Sequence, residues 1–267
     1  MRPIRSYITQ TAIYIALIML LIILGILVFF HSGGDRIDYR NITYIGTGNY
    51  SPFAILYIVL IKTLFAFSAG ITLRNLFQKI ASPEIFFFSI AVLSLSFTAV
   101  RSLLIIENIA DYPVYLSETI TRTVYFGKII TVLSLFTSGL FSTGTTFKKQ
   151  ESFLVLIVLI AIVLSSAIPI DRLEKDIILL QGTGSEYGIN IVFIILQVFA
   201  VLNFLAGGVK NNNHDYLFLA AGVGMVSLGN EILFKLIPGW ISITALLLLF
   251  GGTFLFGYKI HKIYQWR

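Results

Sequence analysis

Five charged side chains lie inside long apolar stretches of this sequence: Lys62, Arg101, Arg122, Lys128 and Glu231. An ionised group in apolar surroundings is costly unless it is paired and hydrogen-bonded, so each of them asks for a partner. Four cations against one carboxylate would leave a net positive charge wherever they met. That is the chemistry of an anion site. Arginine suits it because its guanidinium presents a planar fork of donors to a carboxylate or phosphate, and lysine adds a compact point charge. The expected ligand is an anionic small molecule or an anionic lipid headgroup. Gln197 could add uncharged donors, since Asn190 and Gln197 stand seven residues apart and share one helix face.

The same residues also admit an architectural reading. Arg101 and Arg122 could pair with Glu107, Glu118 or Glu231, and Glu231 could pair with Lys235 at the favourable i,i+4 spacing on its own helix. The amides Asn190, Gln197, Asn203 and Asn230 could bond between membrane helices, where each contributes about 1 kcal/mol or less. Glu84 reads as a first-turn acid complementing a helix dipole. The glycines Gly222, Gly224, Gly229, Gly251, Gly252 and Gly257 read as places of close helix contact.

Other chemistries lack their residues. The sequence has no cysteine and only three histidines, His31, His214 and His261, all in connections or tails. Thiolate metal sites, cysteine nucleophiles, bis-histidine haem and histidine-based intramembrane metalloprotease centres are not expected, and neither a cofactor nor a metal is. No motif selects a serine–lysine pair, no glycine-rich phosphate loop follows a strand, and Lys235 sits too near a helix end to suggest a retinal Schiff base.

What must position the charged residues is a membrane bundle. Charged residues make up 12% of the chain and hydrophobic ones 57%, with a mean hydropathy of +0.90, whereas a soluble domain carries roughly 25% and 45–50%. Eight apolar runs stand at Ile8 to Phe30, Pro52 to Leu73, Pro83 to Ile106, Ser117 to Phe141, Ser152 to Ile170, Gly188 to Gly208, Tyr216 to Leu236 and Trp240 to Tyr258. Each has about the twenty residues that a helix needs to cross a bilayer. Ser51-Pro52 and Ser82-Pro83 place a hydroxyl cap before a proline at the first helical position. Alternating ten-residue segments, the mark of a membrane β-barrel, are absent from the sequence pattern. The expected fold is therefore all-α: a single polytopic membrane domain over residues 1–267, with an anchor helix at 8–30 and a seven-helix bundle at 52–258. The first run is too long for a signal peptide's apolar core and is read as a retained anchor.

Orientation follows from the basic residues of the connections, because positive loops resist translocation. With the N-terminus in the cytoplasm, ten fall inside: Arg2, Arg5, Arg74, Lys79, Lys148, Lys149, Lys210, Lys259, Lys262 and Arg267. Five fall outside: Arg36, Arg40, Arg172, Lys175 and Lys235. Both termini are then cytoplasmic, and the protein is a multi-pass component of the cell membrane. The net charge of +6 reads as contact with anionic lipids rather than nucleic acid.

The longer connections lie on the outer side. His31 to Ser51 reads as a hairpin or ordered loop, and Asp171 to Leu180 as an interfacial helix broken by Gly182-Thr183-Gly184-Ser185. The tail Lys259 to Arg267 reads as an interfacial anchor. No internal repeat is legible.

One anchor followed by seven spans resembles the membrane portion of bacterial seven-helix sensor proteins in helix count and orientation. The resemblance implies a separate cytoplasmic partner acting on short loops or the tail. Taken together, the residues point to a non-enzymatic ligand-binding, sensory or complex-forming module with lipid or protein partners. The alternative is a small-solute or anion transporter; an enzyme acting on lipids would need an acid–base constellation that the sequence does not offer.

Overall fold

The computed structural model describes residues 2–32, 52–80, 82–104, 114–144, 150–175, 180–183, 186–235 and 239–265. The loop expected between His31 and Ser51 falls, beyond its first residues, outside these, as do Glu107, Lys148, Lys149 and the last two residues of the tail. Among the described residues eight α-helices follow in order: α1 (Arg2–Ser32), α2 (Pro52–Ile80), α3 (Pro83–Ser94), α4 (Val114–Ser142), α5 (Gln150–Ala167), α6 (Glu186–Lys210), α7 (Asp215–Phe234) and α8 (Trp240–Gln265). All eight, α3 together with its extension, are long and apolar enough to cross a membrane. They run up and down. At one end Arg5 of α1 meets Glu151 of α5, Lys259 of α8 meets Asp215 of α7, and Tyr264 of α8 meets Glu84 of α3. At the opposite end Arg122, early in α4, reaches the last carbonyls of α5.

Burial sorts the helices into a centre and a rim. In the spans of α3 and α4, 83% and 78% of residues are buried, against 28%, 17% and 22% in α1, α5 and α6. The rim helices turn large apolar side chains outward, among them Leu21, Val163, Ile194 and Phe254. A surface of that kind is stable against hydrocarbon and not against water. Phe88 of α3 stacks on Phe256 of α8 at 3.7 Å, and Phe87 on Phe141 of α4 at 5.3 Å, which ties α3 to both helices.

Two expectations need correction. The third span is not one α-helix, because α3 tightens at Leu95–Ser102 into a 3-10 helix. Three of its hydroxyls back-bond along it: Ser96 donates to the Leu93 carbonyl at 2.7 Å, Thr98 to that of Leu95 at 2.7 Å and Ser102 to that of Ala99 at 2.5 Å. The same three-residue back-bonds occur at Ser68 of α2 and Thr244 of α8, so they accompany the tighter turn and do not by themselves produce it. Secondly, the segment expected as an interfacial helix forms a hairpin, with β1 (Ile170–Lys175) antiparallel to β2 (Gln181–Thr183). Residues 176–179 lie outside the described set. A ten-residue helix is marginal by itself, and pairing satisfies the same backbone groups with the glycine-containing stretch that the sequence suggested as a breaker. The tail read as an interfacial anchor continues α8 to Gln265, with Ile260 and Ile263 buried on the bundle.

Some of the glycines do mark close contacts. A Cβ on Gly252 would stand 2.6 Å from the Gly222 carbonyl oxygen, and one on Gly229 would stand 2.7 Å from that of Ala245. Gly222 and Gly229 on α7 face Gly252 and Ala245 on α8, so small residues spaced by seven draw the two backbones together. Gly224, Gly251 and Gly257 meet only side chains.

Candidate functional site

The floor of the site is the end of α7. Asn230, Glu231 and Phe234 lie within about one helical turn of each other, so their groups face neighbouring helices at one level. Lys62, near the middle of α2, is fully buried and donates from Nζ to Asn230 Oδ1 at 2.9 Å. Lys128 of α4, its side chain 2% exposed, donates to Glu231 Oε2 at 2.9 Å. Gln197 of α6 donates from Nε2 to Glu231 Oε1 at 2.7 Å. Arg101, on the 3-10 segment, is fully buried and donates from Nη1 to the Phe234 carbonyl at 2.8 Å. Four elements thus converge on the last turn of α7.

The convergence brings several basic side chains into one neighbourhood. Lys62 lies within Coulombic reach of Arg101, Lys128 and Glu231. Part of the positive charge is met by polarisable faces and dipoles. The Phe234 ring lies 4.2 Å from Lys128 Nζ and 4.7 Å from the Arg101 guanidinium carbon, and the Phe193 ring lies 4.7 Å from Lys128 Nζ. Such cation–π contacts contribute about 2 kcal/mol when desolvated. Arg101 also sits at the negative end of the α7 dipole. Glu231, with its side chain 26% exposed, is the open edge of the group.

Of the six residues expected at the site, Lys62, Arg101, Lys128, Glu231 and Gln197 come together and Arg122 does not. Arg122 instead grips Glu118 of its own helix, at 2.9 Å from Nη2 and 3.2 Å from Nε. Its Nη1 donates to the Ser165 carbonyl at 3.3 Å and to that of Ser166, which caps α5. The expected Glu231–Lys235 pair gives way to longer-range partners, because Lys128 and Gln197 take both carboxylate oxygens. Asn230, Phe193 and Phe234 were not assigned to the site from sequence. The spacing of Asn230 and Phe234, one turn apart and flanking Glu231, is the only signal for them.

A second polar knot lies at the other end. Glu84 is 3% exposed, and its carboxylate accepts from the Tyr264 hydroxyl at 2.9 Å and from Ser82, while Ser138 donates to its backbone carbonyl at 2.8 Å. Its role is therefore to hold the end of α8, besides complementing the α3 dipole as expected. No group of three or more metal-ligating side chains occurs among the described residues.

No protein-family model matches this chain, and no curated protein matches it in sequence.

Proposed function

We propose that this chain is a non-enzymatic multi-pass protein of the cell membrane, with both termini in the cytoplasm, that binds an anionic ligand or lipid headgroup in its outer half as a ligand-binding or sensory module. One observation carries the reading: among the described residues the buried amines of Lys62 and Lys128 meet the last turn of α7 through one amide and one carboxylate, Asn230 and Glu231. A ligand carboxylate or phosphate would give both amines a further acceptor. Glu231 is the exposed edge of the group and Lys128 lies directly behind it at 2.9 Å, so an entering anion would compete with the Glu231 carboxylate for the Lys128 ammonium. Arg101 would add donors deeper in the bundle.

The test uses the full chain in lipid nanodiscs, with thermal unfolding followed across a panel of small carboxylates, inorganic phosphate and anionic lipids. The reading expects at least one anion to raise the midpoint with saturable dose dependence, and Arg101→Gln and Lys128→Gln to weaken that rise. A panel without effect on the native protein, or an effect that both variants retain, removes the site.

One feature favours the transporter reading as an alternative. The 3-10 segment interrupts α3 inside its span and carries Arg101. Discontinuous membrane helices supply substrate groups in many transporters. Anion-dependent uptake into proteoliposomes would select it over a binding or sensory module.

A further inference from the structure

Away from the cationic group, α2 and α8 part to leave a cleft of about 520 Å³, within the roughly 300–1,000 Å³ typical of small-molecule sites. Phe65 and Phe250, in edge contact at 4.5 Å, close it toward the middle of the bundle. From there it runs to His261 near the end of α8, with Phe254 and Tyr258 on its exposed flank. Most of the lining is apolar, yet two hydrogen-bonding atoms within it are buried and bond to no described residue: Thr253 Oγ1 and His261 Nδ1. Thr253 is 8% exposed. A buried hydroxyl left without a partner costs about 1–3 kcal/mol, and a threonine on a helix ordinarily satisfies its hydroxyl on its own backbone, as Thr63 and Thr72 of α2 do.

From these observations we infer that the α2–α8 cleft is a binding site for one glycerophospholipid of the leaflet at the α8 C-terminal end, with its headgroup at His261, an ester carbonyl accepting from Thr253 and an acyl chain against Phe65 and Phe250. Thr253 and His261 are eight residues apart, about 12 Å along the helix axis, a span that headgroup, phosphate and glycerol ester cover together. Two polar stations in line, followed by an apolar end, are the order of groups in such a lipid. A bare hydrocarbon chain would satisfy neither atom. Lys262, half exposed, follows His261 and with Lys259 pairs to Asp215 of α7, so one net positive charge lies beside the mouth without lining it. That favours an anionic headgroup. Gly257 keeps the cleft open, since a Cβ there would meet only Leu76 and Leu73 at 3.7 and 3.8 Å.

The experiment places the full chain in nanodiscs of zwitterionic lipid, doped with an anionic phospholipid that carries a photoactivatable group on its acyl chain, and maps the crosslinks by mass spectrometry. Crosslinks should concentrate on the peptides containing Phe65 to Leu76 and Phe250 to His261. Gly257→Leu, which fills the cleft, should abolish that concentration, and Thr253→Val, of the same shape without the hydroxyl, should lower it about five-fold. Each variant must elute as the native protein does in size-exclusion chromatography to be compared. Labelling spread evenly over α1, α5 and α6 as well, labelling unchanged in Gly257→Leu and Thr253→Val, or equal competition by a single-chain fatty acid would each overturn the assignment.

Discussion

Lys62 Nζ donates to Asn230 Oδ1 at 2.9 Å across α2 and α7, both residues being buried, so the ammonium has an amide and not a carboxylate as its hydrogen-bond acceptor. An amide can satisfy a donor without cancelling its charge. The two partners are therefore expected to respond oppositely to replacement by apolar residues of similar size. Lys62→Met removes a buried charge and its repulsion with Arg101 and Lys128, and should leave the ligand-free protein unchanged or stabilise it by about 1–2 kcal/mol. Asn230→Leu removes the acceptor but keeps the charge, and should destabilise by about 1.5–3 kcal/mol. Denaturant unfolding in nanodiscs reads both, and equal signs would mean that Lys62 is not held as a net cation.

Glu231 is the only carboxylate among the described residues facing Lys62, Arg101 and Lys128. Glu231→Gln should cost about 2–4 kcal/mol, at or below the range for a broken buried pair because the Glu231 side chain is partly exposed. Adding Lys128→Met should recover most of that loss, since the orphaned charge goes with it. A double-mutant cycle measures the coupling, and strict additivity would show that the 2.9 Å pair contributes nothing.

Gly252 offers a steric test of the α7–α8 contact. Gly252→Ala forces a Cβ to within 2.6 Å of the Gly222 carbonyl oxygen, so the backbones must separate. The expected cost is about 1–3 kcal/mol. Gly224→Ala, whose Cβ would make ordinary contact with Val201 at 3.7 Å, should be neutral or slightly stabilising. Thermal midpoints of the two variants compared side by side decide whether close approach or mere composition explains these glycines.

Orientation is open to a labelling test, because the sequence has no cysteine to remove. Lys235 and His214, at opposite ends of α7, are both exposed. In intact cells an impermeant maleimide should label Lys235→Cys and leave His214→Cys unmodified until the membrane is permeabilised. The reverse pattern would invert the assignment of both termini.

Much of this was written in the linear pattern. Apolar runs of bilayer length specify helices wherever backbone groups must be satisfied within one segment, and all eight recur in the fold. The candidate site was legible as well, because a charge within an apolar run stands out by its cost alone: Lys62, Arg101, Lys128 and Glu231 were found on that ground. What periodicity and spacing do not carry is the rotation of each helix about its axis and the choice among neighbours. That choice sent Arg122 to the end of α5, gave Glu231 to Lys128 and Gln197 in place of Lys235, and brought Asn230 and Phe234 into the group. It also turned Leu95–Ser102 into a tighter helix and paired two polar strands where a short helix was expected. Sequence determined which residues are too costly to leave alone in hydrocarbon. Tertiary packing decided with whom each one is buried, because partner choice among helices depends on contacts between residues as far apart as 62 and 230.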